Sequence, residues 1–146
     1  MNNEMSIRFV SLSQNEGFAR VAVSAFAAQM NPNLEDIADI KTAVSEAVTN
    51  AIIHGYENRL GYVEIYCLIE NDVLNITVRD EGKGIADVEE ARAPFYTTKP
   101  EADRSGMGFT VMETFMDSVI VESSVGAGTT VFMRKRIEQL SEAKVV

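Results

Sequence analysis

Apolar and polar positions change period along this chain, and each change marks an element. Met5, Ile7 and Phe9 alternate with Ser6 and Arg8, the period of two of a half-buried strand, and a turn region follows at 11–13. Ser13 to Glu16 then spells S-x-x-E, which predicts a capping box opening a helix whose apolar face is Phe18, Ala22, Ala25 and Phe26. Asn31-Pro32-Asn33 breaks that helix, and Asn33 is a suitable cap for the next. The second helix runs to about Ile53, with Ile37, Ile40, Val44, Ala47, Val48 and Ala51 at three-and-four spacing. After the stop at His54-Gly55, residues 62–70 and 73–80 read as two strands forming a hairpin across Asn71-Asp72.

Gly82, Gly84, Pro94, Pro100, Gly106 and Gly108 next punctuate about 25 residues, a length that in a small domain points to a functional lid. A short helix over 109–116 and strands over 118–123 and 129–134, around Gly126-Ala127-Gly128, complete the chain. The order β-α-α-β-β-lid-α-β-β predicts an α+β fold. It is a two-layer sandwich with helices on one face of a mixed, mainly antiparallel sheet. No repeat or linker divides the sequence, so residues 1–146 are expected to form one domain, with a lid at about 92–108 and a C-terminal tail over 137–146.

Composition agrees with this pattern and removes several function classes. A chain of 146 residues with 46% hydrophobic and 24% charged residues can bury roughly 70% of its unfolded surface, enough to fold without staples. Thirteen basic against 22 acidic residues leave a net charge of −9, and the one basic cluster is Arg134 to Arg136. A sequence-independent nucleic-acid binder needs cations to neutralise phosphates, so no direct contact with DNA or RNA is expected. The single cysteine, Cys67, lies in an alternating apolar run and reads as a small buried hydrophobe. There is no basic region followed by an apolar run at the N-terminus and no stretch long enough to cross a membrane, so a cytoplasmic location is expected.

Three clusters carry candidate chemistry. Glu46 and Asn50 lie one helical turn apart beside the apolar stripe, and His54 continues the row. Asp80 follows Leu74, Ile76 and Val78 on the same strand face, so its carboxylate points inward and needs a donor partner, while Gly82 and Gly84 let the backbone turn closely behind it. Arg104-Ser105-Gly106-Met107-Gly108 precedes a helix, whose free N–H groups suit an anion. Each alone has an ordinary explanation: a solvated helix face, an Asp-capped strand end, a loop entering a helix. Neither a P-loop nor a strand followed by G-x-G-x-x-G is present. Together and in this order, the three make a nucleotide-binding pattern.

With these residues in place the sequence resembles the GHKL superfamily, which includes gyrase-type ATPases, heat-shock chaperones, histidine kinases and mismatch-repair ATPases. The N box of that superfamily matches Glu46 to Asn50, its first glycine box Asp80-x-Gly82-x-Gly84, and its second Gly106-x-Gly108. SEAVTNAIIHGY, RDEGKGI, FYTTKP, RSGMGFTVME and GTT resemble the anti-sigma factor kinases of endospore-forming bacteria, and the similarity runs from about Asn3 to Met133.

The resemblance implies an ATP- and Mg²⁺-dependent protein serine kinase. Such a protein sequesters a sporulation sigma factor of RNA polymerase and phosphorylates a serine of a small anti-anti-sigma protein, working as a homodimer. Carried over by position, Glu46 would orient or deprotonate the serine hydroxyl, Asn50 would hold Mg²⁺ and Asp80 would accept the adenine amino group. Thr130 would fix the adenine edge. His54, Gly82, Gly84, Thr97, Thr98, Lys99, Arg104, Ser105, Gly106, Met107, Gly108 and Phe109 would complete the ATP/ADP site, with Lys83 a further candidate cation. Arg20 matches a position used for protein contacts.

The second glycine box has only two glycines, with Phe109 where histidine kinases commonly carry another Gly-Leu step. No separate phosphoacceptor-histidine domain is expected. One alternative is a nucleotide-gated sigma-binding module without phosphotransfer, against which the intact Glu46 speaks. Another is the catalytic domain of a histidine kinase, which the strand and helix at the N-terminus disfavour.

Overall fold

A computed structural model describes residues 2–57, 59–93 and 108–138. Strand β1 (Asn2–Val10) leads into helix α1 (Gln14–Ala27), a single 3₁₀ turn (Ala28–Met30) and helix α2 (Leu34–Asn50), which continues as a π turn (Ala51–Gly55). Strands β2 (Tyr62–Glu70) and β3 (Val73–Asp80) follow, then a short helix α3 (Val88–Arg92), helix α4 (Gly108–Phe115), β4 (Ser118–Ser124) and β5 (Gly128–Arg136). The strands form one sheet in the order β1-β2-β3-β5-β4, and every pairing is antiparallel.

The alternation read from the sequence is what builds the two layers. Along β2, Val63, Ile65, Cys67 and Ile69 are buried while Tyr62, Glu64, Tyr66 and Glu70 face solvent. Leu74, Ile76 and Val78 of β3 and Val131 and Met133 of β5 continue the buried face, against which Ile40, Val44, Ala47 and Val48 of α2 and Met112 of α4 pack. Cys67 is fully buried, and loss of solvent pushes its thiol up to about 12, as expected of a packing residue.

Asn33 caps α2 as expected, its Oδ1 accepting the Asp36 N–H at 2.7 Å. The hairpin turn places Asn71 at φ 57°, a left-handed conformation that Asn tolerates.

Three expectations need correction. Ser13 makes no side-chain cap bond, because its backbone is helical (φ −57°, ψ −32°) where a capping residue is extended. The Glu16 carboxylate instead accepts the Ser45 hydroxyl, tying α1 to α2. The buried stripe of α1 is Ala19, Val23, Phe26 and Ala27, with Phe18 57% exposed and Val21 60% exposed. Both stripes satisfy helical spacing, and Ala19 and Val23, not Phe18, join the core cluster that includes Ile40, Ala43 and Val44 of α2. Finally, α2 does not run as an α-helix to Ile53, since the last turn widens into the π turn, and the short α3 was not foreseen.

Candidate functional site

A cavity of about 400 Å³ opens between α2, the turn after β3, α3, α4 and the β4–β5 hairpin. Its walls are chiefly apolar, with Ala47, Ala51, Val78, Ile85, Phe109 and Val131 among them, and two groups of polar residues, around Asp80 and around Asn50, stand out in its lining. Such a plan, an apolar slot with a few placed polar groups, is that of a small-molecule site.

One end is built around Asp80. Strand parity carries this carboxylate to the buried face, where it is 5% exposed. Burial lifts it from the usual carboxylate range to about 6, while the backbone N–H groups of Gly82 and Thr129 pull the other way. Gly82 N–H donates to Asp80 Oδ1 at 2.9 Å. The turn behind it is held from three sides. Lys83 N–H donates to the Gly55 carbonyl (2.9 Å), Gly126 N–H to the Lys83 carbonyl (2.7 Å), and Ile85 N–H to Ser123 Oγ (2.7 Å). A Cβ on Gly82 would stand 2.1 Å from the Gly55 carbonyl oxygen, so only glycine permits this approach. Gly84 adopts φ +78° at the same turn, a conformation that favours glycine.

The other end is built on α2 and the start of α4. Glu46 and Asn50 stack as their spacing requires. A Cβ on Gly108 would lie 3.0 Å from Asn50 Nδ2, 3.2 Å from Asn50 Oδ1 and 3.4 Å from Glu46 Oε2, so the amide, the carboxylate and the N-terminus of α4 share one corner. Asn50 lines the cavity itself, whereas Glu46 does not and meets it through its approach to Gly108. The donor set suits Mg²⁺, a hard cation that takes few protein oxygens and completes its shell with phosphate and water. Among the described residues no cluster of three or more His, Cys, Asp or Glu competes as a metal cage.

Of the residues singled out by sequence, His54, Asn50, Asp80, Lys83, Gly84, Gly108 and Phe109 line the cavity, with Gly82 beneath its floor. Lys83 Nζ is 3.4 Å from Glu57 Oε1. Thr130 does not line it: Thr129 pairs with Asp80 across β3–β5 and faces the cavity, and the next residue along a strand points to the opposite face. Thr129 Oγ1 lies 2.8 Å from Ser123 Oγ, so the threonine is part of the network that props the turn. Thr97, Thr98, Lys99, Arg104, Ser105, Gly106 and Met107, and with them residues 94–107 of the lid, lie outside the described residues, while its expected ends fall in α3 and α4.

Sequence patterns did not single out Thr129, Ile85, Asp87, Glu90 or Ala91 as lining residues. For Thr129 the signal was available, since counting parity back from Val131 and Met133 places it inward. Arg20 is exposed on α1, a helix that contributes no residue to the cavity lining.

The comparisons with known proteins agree with this geometry. A family model described as a histidine kinase-like ATPase domain matches residues 11–135. An anti-sigma F factor of Geobacillus kaustophilus (strain HTA426) is 61% identical over 138 residues, covering 94% of each chain. One from Bacillus licheniformis is 56% identical over 140 residues, 95% of this chain and 96% of the relative. One from Oceanobacillus iheyensis is 56% identical over 147 residues, 100% and 99% of the two chains. With the two-ended cavity, the antiparallel sheet and near full-length identity in agreement, the chain belongs to the anti-sigma F factor family, within the histidine kinase-like ATPases.

Proposed function

We propose that this protein is an ATP-dependent protein serine kinase that also sequesters a sigma factor and phosphorylates the antagonist that would release it. The observation that carries the proposal is the shared corner of Glu46, Asn50 and the α4 N-terminus, set at one end of a cavity whose other end is the buried Asp80. A module that only binds nucleotide has no need of a carboxylate at that corner.

In this reading the adenine lies in the apolar slot with its amino group donating to Asp80, and the triphosphate runs toward Gly108. Mg²⁺ held by the Asn50 amide oxygen would neutralise charge on the phosphate oxygens. Backbone N–H groups at the start of α4 supply further stabilisation of that charge. Glu46 orients the serine hydroxyl of the antagonist and accepts its proton. The serine oxygen bonds to the γ-phosphorus, the bond from that phosphorus to the β–γ bridging oxygen breaks, and ADP leaves.

The partner surface is sought on α1, which carries Arg20 and leaves two large apolar side chains, Phe18 and Val21, in solvent. The printed name of the relatives, anti-sigma F factor, supports a sigma factor as the partner. A homodimer, a serine-bearing antagonist and a cytoplasmic setting complete the proposal. No helix among the described residues is long and apolar enough to cross a membrane.

The test uses purified protein, [γ-³²P]ATP and the candidate antagonist. The wild type should label a serine, and Glu46→Gln should lower labelling by 10²-fold or more, on the order seen for loss of a general base, with nucleotide affinity kept. Loss of binding together with labelling would remove the base role. Sigma capture that depends on ATP, without any phosphorylated acceptor, would establish the binding module instead.

A further inference from the structure

Tyr56 follows directly on the π turn that ends the N-box helix, and it is only 6% exposed. Its backbone N–H donates to the Ala51 carbonyl at 3.1 Å, closing the π turn, so the residue is carried rigidly by the helix that bears Glu46 and Asn50. The phenol then leaves this element and joins two others. Its hydroxyl donates to the Tyr62 carbonyl at 2.5 Å, at the start of β2, and accepts the Glu81 N–H at 2.7 Å, in the glycine turn after β3. The ring fills the space beside Gly61, where a Cβ would lie 2.2 Å from its Cε1. Desolvation pushes the phenol above its ordinary 10, helped by the neighbouring Asp80 and Glu81 carboxylates, so the hydroxyl remains a donor at neutral pH.

The residue before it is pressed on the same turn. A Cβ on Gly55 would stand 2.9 Å from Asp80 Oδ1, and the Gly55 carbonyl accepts the Lys83 N–H. Residues 80–83 are therefore gripped by a two-residue clamp: Gly55 on Asp80 and Lys83, Tyr56 on Glu81. Asp80 itself takes no side-chain bond from Tyr56. The phenol acts on the backbone of the next residue, where a small displacement swings the carboxylate relative to whatever lies in the slot.

We infer that Tyr56 is a positioning residue for base recognition, its hydroxyl fixing the Glu81 amide so that Asp80 meets the amino group of an adenine nucleotide in one geometry. The inference rests on the proposed adenine site and extends it to a residue that does not line the cavity. It also joins the base-binding end to the helix of the phosphotransfer end by a single side chain.

Tyr56→Phe keeps the ring and removes only the hydroxyl. Dissociation constants are measured for ATP and for purine riboside triphosphate, which lacks the 6-amino group, in wild type, in Tyr56→Phe and in the core variant Ile76→Val as a stability control. Wild type should prefer ATP at least 10-fold. Tyr56→Phe should cut that preference 5-fold or more, chiefly by weakening ATP, with the analogue within twofold of its wild-type affinity. Ile76→Val should keep the wild-type preference.

An unchanged preference in Tyr56→Phe, whatever its loss of thermal stability, would overturn the inference and leave the adenine site standing. A wild type that binds the two nucleotides alike would overturn both. Amide exchange in the unsubstituted protein reads the same link without any variant. ATP should slow exchange of the Glu81 N–H more than the analogue does, and equal protection by the two would count against it.

Discussion

The two ends of the cavity are built by different means. The Asp80 end is assembled largely from backbone: four chain segments, at Gly55-Tyr56, 80–85, Ser123 to Gly126 and Thr129, meet through main-chain N–H groups that donate to carbonyls and to the Tyr56 and Ser123 hydroxyls, and through close glycine contacts. The Glu46 end is two side chains one turn apart on α2, brought against the first residue of α4. A backbone-built end defines a shape before any ligand arrives, at the expense of a desolvated carboxylate. A side-chain end leaves its groups able to reorganise as charge moves in the reaction. The first arrangement suits recognition of a fixed planar group and the second suits chemistry.

If this division is right, the largest effect should come from crowding the backbone-built end. Gly82→Ala forces a Cβ into the Gly55 carbonyl, and the turn must move. A loss of about 3 kcal/mol or more in urea unfolding is expected, with nucleotide binding abolished. A variant of near wild-type stability would mean the turn is far more yielding than its bonds imply.

Asp80→Asn should separate stability from function. Asp80 has its folded value raised from 3.8 to about 6, so its contribution to stability is fully present below about 3.8 and is lost as pH rises through about 6. At pH 7.5 the ionised, buried carboxylate therefore opposes folding, and the amide variant should be more stable by up to about 3 kcal/mol, while losing 10- to 100-fold or more in ATP affinity. The stability gap between the two proteins should shrink toward zero as pH falls below 4. A variant less stable than wild type at pH 7.5 would show that the Gly82 and Thr129 donors outweigh burial.

The smallest effect belongs to the link between helices. Ser45→Ala removes the hydroxyl that donates to Glu16, and it should lower stability by about 1 kcal/mol or less. Nucleotide affinity should remain within twofold, since neither residue lines the cavity. A larger loss of affinity would mean that the α1–α2 packing sets the position of Glu46, and would narrow the contrast between the two ends.

Elements whose signals are periodic and local were legible in the sequence. The β2–β3 hairpin, the Asn33 cap and the inward Asp80 follow from alternation and from the needs of a helix N-terminus. What failed depended on tertiary choice. The buried stripe of α1 could be drawn through Phe18 or through Ala19, and only the close approach to α2 decides between them. Ser13 has the residue type of a cap but not its backbone, a property invisible to S-x-x-E. In the site, helix spacing sufficed for Glu46 and Asn50, whereas the choice of Thr129 over Thr130 needed the register of β3 against β5. Tyr56 closes the SEAVTNAIIHGY segment, yet the sequence gives it no role, because its importance lies in bonds to residues distant in sequence.

The strand order has a consequence for how the pocket comes into being. Asp80 ends the second strand of the β2–β3 hairpin and Thr129 stands near the start of the second strand of the β4–β5 hairpin. Each hairpin can zip locally around its short turn, a microsecond event, but the β3–β5 ladder joins them only after the intervening chain has been spanned. The sheet floor of the cavity, with Val78 and Asp80 on one side and Thr129 and Val131 on the other, is thus a seam between two hairpins that close independently. A nucleotide lodged across that seam acts as a latch on the assembled sheet, delaying its parting and lengthening the life of the native state, while the rate at which the halves first meet is left unchanged.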